Sequence, residues 1–135
     1  MTDTKNAVPS PAERPLSPHL QIYRWQLTMT MSISHRAAGL AMAVGLAMVV
    51  WMFAAAASGP EAYGHFSAFA ASPLGRLMIF GWSLAFCYHI CNGVRHLLWD
   101  MGYLFKIENA YRAGYTALAC AAALCALIWA LALGG

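Results

Sequence analysis

At 135 residues the chain has the length of one modest domain, but 61% of it is hydrophobic and only 10% charged, too little charge to cover a water-exposed surface. Its 5 Trp, 6 Tyr and 6 Phe exclude a disordered chain, and a formal charge of +3 with no dense basic run gives no nucleic-acid surface. A mean hydropathy of +0.56, with the apolar residues gathered into long blocks, points to a membrane protein.

The expected fold is an all-α membrane protein. Residues 1–31 read as an N-terminal cytoplasmic and interfacial segment, and residues 32–135 as a membrane domain with three spans over about 34–57, 74–100 and 110–133. The leader holds Pro9, Pro11, Pro15 and Pro18, which keep it extended on the membrane surface or on a partner. From Ser17 a short interfacial helix is expected, with Ser17 as its cap and Pro18 in its first turn. The first apolar block starts too late and runs too long for a cleaved signal peptide.

Ala37 to Ala57 is uncharged for 21 residues, Leu77 to Val94 for 18, and Ala113 to Leu133 for 21. At about 1.5 Å per residue, 21 residues cover roughly 31 Å, which matches a hydrocarbon thickness of about 30 Å. In the first span, Gly39 with Ala43 and Ala41 with Gly45 offer a seam for close helix packing, or reflect no more than the abundance of small residues in such helices. Cys87, Cys91, Cys120 and Cys125 lie inside apolar segments and read as small buried hydrophobes. The absence of a C-x-x-C-H sequence excludes covalent c-type haem attachment by the usual route.

Of the eight basic residues, Lys5, Arg14, Arg24, Arg36, Arg95, Lys106 and Arg112 fall at the N-terminal side or around the second loop, and only Arg76 falls on the other side. That division puts the N-terminus and second loop in the cytoplasm and the first loop and C-terminus outside, with Trp99, Tyr103 and Tyr111 as a cytoplasmic aromatic belt.

Polar residues within the spans cost free energy that something must offset. His89 sits near the middle of the second span, where a neutral imidazole either hydrogen-bonds another helix or ligates a haem iron. His96 follows two turns later on the same face, about 10 Å away, with Gly93 between them removing a side chain where a flat macrocycle would approach. His96 and Arg95 lie near the cytoplasmic boundary, where haem propionates need donors, although Arg95 taken alone reads rather as a snorkelling anchor. At the start of the first span Ser32 and Arg36 are one turn apart. They suit either two donors to a quinone carbonyl or a helix cap with positive-inside charge.

The stretches Arg14 to Arg24, Ser32-Ile33-Ser34-His35-Arg36 and His89-Ile90-Cys91-Asn92-Gly93-Val94-Arg95-His96-Leu97-Leu98-Trp99-Asp100 closely resemble the cytochrome b556 subunit family of succinate dehydrogenase, the larger of two membrane anchors in respiratory complex II. The resemblance runs from Arg14 to about Tyr103. It departs at Ala38, where the family usually has Ser or Thr, and the third span matches only as a generic apolar helix. The resemblance implies half of a heterodimeric haem-binding helix bundle in a bacterial or mitochondrial inner membrane. The implied partners are a second small anchor, an iron–sulfur subunit and a flavoprotein subunit, with electrons passing from succinate to ubiquinone. It further implies His89 as the axial ligand of haem b, His35, Arg36 and His96 at the propionates, and Ser32 with Arg36 lining the ubiquinone pocket near Asp100. No flavin-binding segment or clustered thiolate motif places succinate oxidation in this chain itself. The competing role is a structural anchor, in a related fumarate reductase or another complex, without a working haem. A transporter would want polar residues along a pathway and paired repeats, and neither is present.

Overall fold

The structure is a computed structural model and describes residues 22–134; the leader, with its expected interfacial helix at Ser17 and Pro18, lies outside them. The described residues form α1 (Leu27–Ser58), α2 (Pro60–Ala71), α3 (Pro73–Asp100) and α4 (Ile107–Gly134), with no strand. α1, α3 and α4 have 32, 28 and 28 residues and are each long and apolar enough to cross a membrane. At about 1.5 Å per residue they measure roughly 48, 42 and 42 Å, so their ends project beyond a hydrocarbon layer of about 30 Å.

The breaks between helices follow from residues that cannot continue one. Gly59 adopts φ 111°, a left-handed conformation that stops α1, and Pro60 opens α2 with a ring already set for a first turn. Ser72 caps α3 by accepting a hydrogen bond from the Gly75 amide at 3.1 Å, with Pro73 next to it. Gly102, at φ 89°, closes α3. α2 was not among the expected elements: its 12 residues are apolar enough to pack on a neighbour but too few to span a membrane. It lies back on α1, with Phe66 and Phe69 rings 5.1 and 5.0 Å from that of Trp51.

α1 starts at Leu27, well before the expected boundary near 34, because Leu27 and Met31, one turn apart, pack on Gly114 of α4 and hold the first turns in the bundle. Gln26 is its N-cap and makes no side-chain cap bond. Ser32 therefore sits inside the helix, and the cap reading of that residue is overturned.

α3 is the central element, packed on α1 along one side and α4 along another. Toward α1, the Trp82 indole donates to the Met42 carbonyl at 3.3 Å and lies on Gly45, where a Cβ would overlap the ring. The Tyr88 hydroxyl donates to the Met31 carbonyl at 2.7 Å. Toward α4, Cys87, Ala121 and Cys125 form a buried cluster, and the Trp129 indole donates to the Ser83 hydroxyl at 2.8 Å. α1 and α4 meet at Gly114, where a Cβ would stand 3.0 Å from the Met31 sulfur. Gly39 and Gly45 of the anticipated seam thus each receive an α3 side chain, whereas Ala41 and Ala43 face outward. All four cysteines are free, but Cys91 is only half-buried and Cys120 is exposed, so the burial expected of them holds for Cys87 and Cys125; Cys91 and Cys120 both border an open cavity between α3 and α4. Leu40 and Leu131 are 69% and 70% exposed, a placement favoured in hydrocarbon and unfavourable in water.

Candidate functional site

One stripe of α3 carries Trp82, His89 and His96 at intervals of seven, two turns apart, and meets His35 and Gly39 of α1. His89 is half-buried and lies eleven residues, roughly 16 Å, before the end of α3, well inside the apolar layer. Its Nδ1 is 3.2 Å from the main-chain oxygen of His35. A carbonyl oxygen only accepts, so Nδ1 carries a proton, and in the neutral ring this leaves the lone pair on Nε2.

The other two imidazoles gather on it. The His35 ring stacks on His89 with centroids 3.9 Å apart and planes 14° from parallel, and the His96 ring stands 5.2 Å from His35. His35 Nδ1 is buried and has no partner among the described residues. Gly39 sets the approach: a Cβ there would come 3.2 Å from His89 Cε1, tighter than an ordinary contact. At Gly93 a Cβ would meet only His35 Cε1, at 4.0 Å. The space anticipated above Gly93 is therefore there, with the edge of the His35 ring at its rim.

Toward the end of α3 the same stripe opens into a recess of about 490 Å³ lined by Thr28, Met29, Ser32, His96, Trp99 and Asp100. It combines two hydroxyls, an imidazole and a carboxylate with apolar walls, a lining suited to a ring that bears carbonyls. Arg36 stands one turn deeper on α1, exposed, and is not part of that lining. The sequence-predicted residues His35, His89 and His96 are thus brought together, Ser32 joins His96 in the recess, and Arg36 remains on the outside of this chain.

Arg95 departs from its expected place beside His96. It is 2% exposed and turned to the other side of α3, with Nη1 donating to Asn92 Oδ1 at 3.4 Å and the guanidinium 4.8 Å from the centre of the Trp99 ring. Consecutive helical residues diverge by about 100°, so the two neighbours in sequence serve different faces. Sequence reasoning missed Trp82, Thr28, Met29 and the role of Gly39. Trp82 was legible as the residue seven before His89, and Gly39 as the one four after His35.

The donor set fits a haem: one neutral imidazole with a free Nε2, further imidazoles at a partly buried position, and a cation nearby. A family model described as succinate dehydrogenase/fumarate reductase transmembrane subunit matches residues 10–128. A succinate dehydrogenase cytochrome b556 subunit of Rickettsia prowazekii (strain Madrid E) is 34% identical over 87% of this chain and 91% of its own length. The protein of the same description from Paracoccus denitrificans is 38% identical over 78% of this chain and 82% of its own. A succinate dehydrogenase cytochrome b560 subunit of Marchantia polymorpha is 41% identical over 84% and 87%.

Proposed function

We propose that this chain, which belongs to the family of succinate dehydrogenase/fumarate reductase transmembrane subunits, is the haem-holding anchor of a succinate:ubiquinone oxidoreductase. The observation that carries this reading is the His89 Nδ1 contact to the His35 carbonyl, which leaves Nε2 available in a dry helical setting. His89 would be the axial ligand from this chain, with the second supplied by the other small anchor. His35, Arg36 and His96 would hold the propionates, because a carboxylate in a membrane needs cationic or donor partners. Haem b, when bound there, supplies a one-electron site between the anchors.

Ser32 lines the recess and would donate its hydroxyl hydrogen to a ubiquinone carbonyl, with Arg36 adding a cation once the partner subunits enclose its exposed side. The flavoprotein and iron–sulfur subunits, which would carry succinate oxidation and its electrons, would dock on the same cytoplasmic side, since the basic residues gather there. The N-terminus would then lie in the cytoplasm and the C-terminus outside the inner membrane. A reporter fused after Gly135 should be active only outside; activity in the cytoplasm would reverse this topology.

The stacking of His35 on His89 favours a second reading, in which the histidines hold the helices together and the chain anchors a fumarate reductase or other complex with no working haem. A reduced-minus-oxidised visible spectrum of the assembled complex separates the two. The haem reading expects a b-type spectrum in the wild type that His89→Leu removes or converts to another ligation state. An unchanged spectrum in the assembled variant overturns His89 as ligand, and no spectrum in the wild type leaves the plain anchor.

A further inference from the structure

The core face of α3 contains a cation that the haem and quinone reading does not use. Arg95 is 2% exposed and Asn92 is 0% exposed, and their one hydrogen bond to each other is long at 3.4 Å. Arg95 Nε, Arg95 Nη2 and Asn92 Nδ2 have no partner among the described residues. All three atoms are donors, and no carboxylate answers them: the one ion pair among the described residues joins Arg112 to Glu108 at 2.7 Å. A guanidinium does not neutralise itself by losing a proton, so an enclosed one requires an acceptor.

The side chain also lines a cavity of about 290 Å³ between α3 and α4, whose other walls include Ile90, Val94, Leu98, Ala113 and Ala117. Its depth is informative. α3 has 28 residues and exceeds an apolar layer of about 30 Å by roughly 12 Å, or about 6 Å at each end. Arg95, five residues or roughly 7.5 Å from Asp100, therefore has its Cα at the hydrocarbon boundary, with the phosphate level within a side chain's reach.

We propose that the α3–α4 cavity holds a phospholipid, with its phosphate on the Arg95 guanidinium, which Asn92 steadies from behind, and an acyl chain along the apolar walls. With lipid bound, the guanidinium would leave the Trp99 ring and turn Nε and Nη2 toward the cavity whose wall Arg95 already helps to form. The apolar walls favour a lipid over free phosphate, which has no use for them. Lys106 at the same end of the bundle adds positive potential that draws an anionic headgroup. The proposal does not depend on haem at His89.

The test uses the assembled complex in phosphatidylglycerol nanodiscs, with arginine labelled by nitrogen-15 in the guanidinium, and reads short-range coupling of nitrogen-15 to phosphorus-31. A coupled arginine signal that disappears in Arg95→Lys is expected. No coupling in the wild type, with a buried water as the acceptor, overturns the proposal, as does coupling that survives the substitution. Where Arg95→Lys fails to assemble, Leu98→Trp keeps the guanidinium, fills the cavity and should remove the signal; full coupling there contradicts the cavity as the seat of the lipid. In delipidated complex, phosphatidylglycerol should raise the melting temperature of the wild type and leave that of Arg95→Lys unmoved. Equal rescue by inorganic phosphate alone would make it an ion site and overturn the lipid.

Discussion

Two polar stripes run along α3 about a third of a turn apart, and they solve the problem of polarity in a membrane differently. On the stripe of His89 and His96, the groups lean on one another and on a backbone carbonyl, and the stripe opens into a recess. On the stripe of Tyr88, Asn92 and Arg95, the side chains are closed in between helices, and several donors meet no acceptor. Depth is alike in the two, and each carries side chains able to donate hydrogen bonds. What differs is azimuth, so a polar residue in a span has its role set by the face on which it falls.

If the stripes divide function from packing, substitutions on each should separate the two. The largest effect is expected from Ser32→Ala on the recess side. Loss of a donor to a carbonyl that gains charge during reduction costs about 1.5–3 kcal/mol, roughly a tenfold to hundredfold fall in quinone turnover. Succinate oxidation with an artificial acceptor that bypasses quinone should keep its wild-type rate. Quinone reductase kinetics unchanged by Ser32→Ala would remove that residue from the pocket.

Ala121→Leu acts on the packed side, in the cluster with Cys87 and Cys125. Overfilling it should cost about 1–3 kcal/mol, read as a lower melting temperature of the complex, while the fraction that assembles keeps the wild-type visible spectrum. A changed spectrum at full stability would erase the distinction between the faces. The smallest effect is expected from Gly39→Ala, where a Cβ 3.2 Å from His89 Cε1 obliges the ring to give by a few tenths of an ångström. The ferric low-spin resonance positions should move with no loss of haem. Identical positions would show that Gly39 does not set the ring.

Much of this was legible in the sequence, for identifiable reasons. Uncharged runs of spanning length fixed three helices, and intervals of seven placed His89 and His96 on one stripe. The misplacement of Arg95 arose from treating a sequence neighbour of His96 as a spatial one, across the 100° that separates them. The early start of α1 escaped notice because charge, not helix continuity, was used to mark the span, and this made Ser32 look like a cap. α2 left only a faint signal, Gly59-Pro60, where a helix-ending glycine and a helix-opening proline adjoin. The His35 ring on His89 had no signal at all, since stacking depends on how two helices cross.

The central claim is that, of two stacked imidazoles, His89 binds iron through Nε2 while His35 does not ligate it, giving its backbone carbonyl to orient His89 and its side chain to a propionate. Replacing each in turn and recording the reduced-minus-oxidised visible spectrum of assembled complex tests this directly, because His35→Leu retains the carbonyl. The account predicts a b-type spectrum that survives His35→Leu, with a shifted midpoint potential, and is lost or converted to another ligation state in His89→Leu. The reverse pattern, loss with His35→Leu and survival with His89→Leu, would contradict it.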